Sequence, residues 1–80
     1  MKAFIYITLK KGVLDPQGKA VAHALHSMNY KMVADVRQGK FFEVALCDVT
    51  RTEAEKQTKE MCEKLLANTV IEDFRFEINE

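Results

Sequence analysis

Residues 11–18, KGVLDPQG, constrain this chain more than any other stretch. They place two glycines, the single proline and an aspartate between segments of different period. Before them, AFIYITLK (3–10) alternates Ile5, Ile7 and Leu9 with Phe4, Tyr6 and Thr8, which predicts a strand with apolar groups on both faces. After them, Val21, Ala24, Leu25 and Met28 recur at helical spacing. Asp15 suits an N-cap, and Pro16 suits the first helical position, where no amide hydrogen is needed. The stretch therefore turns a strand into a helix of about three turns, with Asn29 as a left-handed stop.

The rest of the chain reads in the same way. Met32, Ala34 and Val36 alternate with Val33, Asp35 and Arg37, predicting a second strand. Gly39 in RQGK marks a tight reversal into a third strand over 42–47, so the two form a hairpin. Thr50 with Glu53 three residues on is a capping-box pattern. It opens a helix to about Ala67, with Ala54, Thr58, Met61, Cys62 and Leu65 on the inner face. Opposite charges four apart (Glu55 with Lys59, Lys56 with Glu60, Lys59 with Glu63, Glu60 with Lys64) mark its solvated face. Residues 70–78 alternate again as a fourth strand. The order βαββαβ predicts one α+β domain over 1–80: a ferredoxin-like, four-stranded antiparallel sheet with two helices on one face. Phe4 and Tyr6, with Phe41 and Ala45, then point to the opposite face, and neighbouring aromatics there predict a contact surface used in self-association.

Twelve basic and twelve acidic residues give a formal net charge of zero, which argues against a general polyanion binder. The charge is polarised along the chain. Residues 1–40 carry seven Lys/Arg against two Asp, and residues 41–80 five against ten Asp/Glu. No apolar run approaches the ~20 residues of a membrane span, and MKAFIYITLKKG lacks the small-residue cleavage site of a signal peptide. Cys47 and Cys62 have neither framework nor CxxC spacing, consistent with a reducing, cytoplasmic setting.

Candidate chemistry is sparse. His23 and His26 share a helix face at i, i+3, but no third metal ligand stands out. Cys47 and Cys62 read as packing residues. Gly12, Gly18 and Lys19 miss the P-loop pattern, with five residues between the glycines and Ala20 where Ser or Thr belongs. An anion at the first helix N-terminus, beside Lys11 and Lys19, would meet the Asp15 carboxylate. The topology also admits an RRM-like single-stranded RNA binder, with Tyr6 as a stacking position. QGKFFEVA does not match the strand-three signature of that module, however, and Glu43 puts a negative charge beside the platform.

LKKGVLDPQGKAV (9–21), VRQGKFFEV (36–44) and LLANTVIEDF (65–74) together resemble PurS, the small subunit of phosphoribosylformylglycinamidine synthase in purine biosynthesis. The likeness spans nearly the whole chain. One departure is Thr69, where the family often has proline after LLAN. The resemblance implies a subunit without an active site or cofactor of its own. It implies two partners: a synthetase subunit (PurL-type) that binds ATP and Mg, and a glutaminase subunit (PurQ-type) that releases ammonia. It further implies a homodimer or homotetramer in the cytoplasm that bridges these two for ammonia transfer, with no nucleic-acid or membrane partner. Asp15, Pro16, Gly18, Arg37, Gly39 and Lys40 are the expected partner-interface residues.

Overall fold

The computed structural model describes all 80 residues. Its elements are β1 (Lys2–Leu9), α1 (Pro16–Ser27), β2 (Lys40–Ala45), α2 (Arg51–Met61) and β3 (Glu72–Asn79). The three strands form one antiparallel sheet in the order β2-β1-β3. β1 is central, and its Ile5 lies opposite Phe42 on one side and Phe76 on the other.

Period-two alternation sends Ala3, Ile5, Ile7 and Ile78 to one face, where α2 covers them. The helix contributes Ala54, Thr58 and Cys62, spaced four apart on a single stripe. These side chains are small, so the helix axis can approach the sheet closely. Phe42, Val44, Phe74 and Phe76 share the face but remain only half-buried around this centre. Only ten residues of the 80 are buried, so a single copy covers little of its own apolar surface.

The helix starts follow the sequence reading. Pro16 opens α1 behind the Asp15 cap, and Asn29 ends it at φ 76°. Thr50 Oγ1 accepts the Glu53 amide at 3.2 Å. Glu53 itself turns to Gln57 rather than back to the cap, so the box is half made.

Four expectations require correction. First, residues 32–37 form no strand and RQGK forms no hairpin, so the sheet has three strands and the single chain is α+β without a complete ferredoxin-like layer. The tight two-residue hairpin turns favoured between strands use positive φ, and among the glycines only Gly12 has it, so the chain does not reverse at Gly39. Second, α1 does not join α2 over the sheet, and none of its side chains packs against the core cluster. Third, Leu65 does not face inward. Residues Cys62–Leu66 form a π-helical turn closed by Ala67 N donating to Cys62 O at 2.9 Å. The wider turn advances the inner stripe from Cys62 to Leu66 and Ala67 and leaves Leu65 82% exposed. Fourth, β2 ends at Ala45, so Cys47 lies outside the strand and is exposed.

The result is a long molecule, 49 × 26 × 14 Å, with a radius of gyration of 16.0 Å. A compact chain of this length would have about 12 Å. A strand of eight residues spans about 26 Å and a helix of twelve about 18 Å, so sheet and α1 laid end to end account for most of the long axis.

Thr58 offers a clean test of the core, because its buried hydroxyl has no hydrogen-bond partner. Thr58→Val keeps the shape and removes the unpaired group, so a gain of about 1 kcal/mol is expected. Thermal melts should then rise by roughly 4–8 °C.

Candidate interaction surfaces

The KGVLDPQG stretch is organised around one carboxylate. Asp15 is buried, and its Oδ1 accepts the Gly18 amide at 2.9 Å, which caps α1. Its Oδ2 accepts the Gln38 amide at 2.7 Å, across 23 residues of chain. One side chain thus starts the helix and ties the returning segment to its base. Hydrogen bonds from Gln38 and then Gly18, assisted by the nearby Arg37 charge, hold the Asp15 carboxyl below its ordinary value against the opposing effect of burial.

Two glycines make this junction possible by close approach. A Cβ at Gly18 would collide with the Val36 carbonyl, and one at Gly39 with the Ile7 carbonyl. The returning segment is fastened at further points: His26 Nε2 lies 2.6 Å from Val33 O, Gln38 Nε2 donates to Gln17 at 2.9 Å, and Arg37 donates to Lys10 O at 3.3 Å. Residues 33–38 therefore run back along α1, and the two form one arm.

At the root of the arm lies a cleft of about 460 Å³, lined by Asp15, Pro16, Gln17, Gln38, Gly39 and Lys40 with Leu9 and Glu72. Lys40 is held there by the Leu66 carbonyl and the Glu72 carboxylate, 3.3 and 3.4 Å away. Arg37 lines an adjoining depression with Lys11, Gly12 and Asp35. Of the six residues expected at a partner interface, Asp15, Pro16, Gly39 and Lys40 thus share one cleft. Arg37 is beside it, and Gly18 is buried beneath it. Gln17, Gln38 and Glu72 were not singled out from the sequence. Glutamine offers no pattern signal, and the Gln38 contribution is a backbone amide that any residue but proline supplies.

The second surface is the sheet face away from α2. Phe4 and Phe41 stack there with centroids 6.1 Å apart, and Tyr6 meets Phe41 at 5.2 Å. Arg75 lies 3.9 Å over the Tyr6 ring, a cation–π contact that strand alternation alone does not reveal. Ion pairs Lys2–Glu43 at 3.0 Å and Arg75–Glu77 at 3.4 Å flank the aromatics. Basic and acidic groups are interleaved, with Asp73 also on this face, so it lacks the positive field of a single-strand RNA platform.

Across the sheet a third surface is open. Val44, Met61, Leu65 and Leu66 line a groove of about 500 Å³ between β2 and α2, with Glu53, Lys56, Gln57, Glu60 and Lys64 along its rim. Cys62 is buried below it, and burial, with a contribution from Glu63, pushes its thiol up, as befits a packing residue rather than a nucleophile.

A small α+β domain with an open apolar groove, an aromatic sheet face and a projecting arm has the surfaces of an assembly component. The comparisons with known proteins agree. The PurS model, described as phosphoribosylformylglycinamidine (FGAM) synthase, matches residues 2–80, and the chain belongs to this family. The PurS subunit of the Bacillus subtilis enzyme is 56% identical over 79 residues, covering 99% of this chain and 93% of that one. The Archaeoglobus fulgidus subunit is 46% identical over 74 residues, covering 92% of each. A crystal structure of B. subtilis PurS superposes with a TM-score of 0.88 at 57% identity, covering 99% of this chain and 98% of that one. The structure of PurLQS from Thermotoga maritima contains a chain matching at 0.86 and 26% identity, over 95% of this chain and 93% of that one. PurS is a subunit of FGAM synthase in purine biosynthesis. An RNA-binding role finds no support in these relatives.

Two substitutions test the Asp15 junction. Gly18→Ala forces a Cβ onto the Val36 carbonyl and is expected to cost about 1–3 kcal/mol, read from denaturant midpoints. Asp15→Asn probes charge. Because folding lowers the Asp15 pKa, its stabilisation is present at neutral pH and is lost as pH falls through the folded-state value, below about pH 4. The gap in melting temperature between wild type and Asp15→Asn should therefore be open at pH 7 and close in acid. A gap that widens on acidification would contradict the assignment.

Proposed function

We propose that this chain is the non-catalytic assembly subunit of FGAM synthase, bridging a glutaminase and an ATP- and Mg-dependent synthetase so that ammonia passes between them. The observation that carries this reading is the cleft at the arm root. It gathers Asp15, Pro16, Gly39 and Lys40 from distant parts of the sequence, next to Arg37. The PurLQS assembly of T. maritima, which contains a chain of this fold, supports it. ATP, Mg and the phosphoribosyl substrate belong in this reading to the synthetase, and the complex works in the cytoplasm. No helix is long and apolar enough to cross a membrane.

The reading includes self-association through apolar surfaces that one copy leaves open, with Phe4 and Tyr6 on the outer sheet face contributing. The ferredoxin-like layer is then a property of the oligomer. Light scattering at micromolar concentration is expected to give at least twice the chain mass, and a strict monomer would end this part of the reading.

Arg37→Glu tests the bridge. Arg37 is exposed and makes one 3.3 Å bond to a backbone carbonyl, so the fold should survive. Mixed with the other two subunits, the variant is expected to lose about tenfold in apparent affinity, a loss of ~1.4 kcal/mol. Glutamine-dependent activity should fall while synthesis from added ammonium salt persists. Equal loss with both nitrogen sources would assign the residue to something other than ammonia transfer.

A further inference from the structure

In the sheet order β2-β1-β3, β3 meets β1 on one side and has no strand on the other. The hydrogen bonds fix which of its backbone groups face outward. Lys10 N donates to Ile71 O at 2.8 Å, which makes that pair a hydrogen-bonded position of the β1–β3 ladder. Antiparallel ladders alternate bonded and non-bonded pairs, so the pairs Thr8–Asp73, Tyr6–Arg75 and Phe4–Glu77 are bonded as well. Glu72, Phe74, Phe76 and Ile78 therefore turn their backbone groups away from β1. Two of these groups are already taken. Asn68 O accepts Glu72 N at 2.7 Å, and Ile78 O accepts Arg51 Nη2 at 3.1 Å. Between these two stops stand the Glu72 carbonyl, the amide and carbonyl of Phe74, the amide and carbonyl of Phe76, and the Ile78 amide.

We propose that this window of β3 receives an extended strand of the synthetase subunit, one that alternates apolar residues with basic ones. This deepens the bridging reading above and rests on it.

Three observations select this occupant. The edge lacks the usual protection. Natural edge strands are blunted by proline, by lysine or by a bulge. EDFRFEIN contains neither proline nor lysine, and it pairs with β1 residue for residue over its eight positions. Such an edge suits strand addition, in which main-chain bonds supply affinity and alternate side chains supply specificity. The side chains then state the chemistry. On the α2 face, Phe74 and Phe76 are half-buried and offer apolar surface to a neighbouring strand. On the opposite face, Arg75 is engaged by Glu77 and by the Tyr6 ring, whereas Asp73 is exposed and has no ion-pair partner. The uncompensated charge along the edge is negative, and a basic residue directly opposite Asp73 completes it. A second copy of β3 fits less well, because it brings another Asp73 and Glu77 with a single further arginine.

Position is the third observation. β3 starts at Glu72, which lines the cleft at the arm root, and runs to Asn79 at the opposite end of the sheet, beside Lys2. A bridge needs a separate contact for each of its two partners. With the cleft on the glutaminase side of ammonia transfer, the edge leading away from it is the surface left for the synthetase.

The test is amide hydrogen exchange, read residue by residue on the full-length chain, alone and mixed with the purified synthetase subunit. In the chain alone, the outward Phe74 and Phe76 amides should exchange fast and those of Asp73, Arg75 and Glu77 slowly. With the synthetase, exchange at Phe74 and Phe76 is expected to slow by roughly tenfold or more, which erases the alternation. Asp73→Lys keeps the fold, since the residue is exposed. It is expected to weaken synthetase binding about fivefold at low salt, by a margin that shrinks as salt is added. Unchanged or tighter binding by Asp73→Lys would overturn the basic strand. Binding that leaves Phe74 and Phe76 fast would overturn docking at this edge and leave bridging through another surface intact. Slow exchange in the chain alone would give the edge to a second copy, and slowing by the glutaminase alone would give it to the other companion; either result overturns the proposal. No binding to the synthetase would remove the bridging reading as well.

Discussion

The Asp15 carboxylate is the constraint on which the arrangement of the chain depends. A cap on α1 needs one of its oxygens, and the second reaches the Gln38 amide just before β2 begins. The connection leaving β1 and the connection entering β2 are thereby held together at one end of the sheet. Charge-assisted bonds to backbone amides are the stronger kind, and here they decide where twenty-odd residues go. Pro16 and Gly18 follow from the same site. The proline needs no amide partner at the helix start, and the glycine lets the returning backbone approach the helix.

The body of the molecule is simple by contrast. Ile5 and Ile7 on the central strand meet a stripe of small side chains on α2, and this contact centres the sheet under one helix. The π-helical turn at Cys62–Leu66 ends that helix in a particular way. It keeps Cys62, Leu66 and Ala67 toward the sheet while rotating Leu65 into the open groove. An uninterrupted α-helix would have hidden Leu65 and emptied the groove of its most prominent apolar side chain.

Much of this was legible in the residues. Alternation in AFIYITLK and in residues 70–78, the Asp15–Pro16 start, the Thr50 cap and the Asn29 stop all describe local backbone preferences, and local preferences survive folding. The outward aromatics followed from the same alternation. The misses share a different cause. The alternation of residues 32–37 is genuinely strand-like, but strand is a relation between chains as much as a local shape. The segment is extended and lacks a neighbour to pair with. Gly39 looked like a reversal because glycine permits one, whereas here its missing Cβ serves contact with the Ile7 carbonyl. Leu65 was misplaced because a single π turn changes the helical period without any marker in the sequence. The expected interface residues were named mostly from a family likeness, and the structure gives Asp15, Gly18 and Gly39 a physical reason for their identity that is independent of any partner.

The small number of buried residues has a consequence for how such a protein persists in a cell. With ten buried residues the solitary chain has little to resist local opening, and the opened form is what proteases cut. Any partner that seals the groove or the aromatic face binds the folded form alone and so raises its survival by mass action. Abundance is then tuned by companionship: surplus copies are cleared, and those that have found their complex endure, which keeps the subunits of one enzyme in proportion without separate control of each.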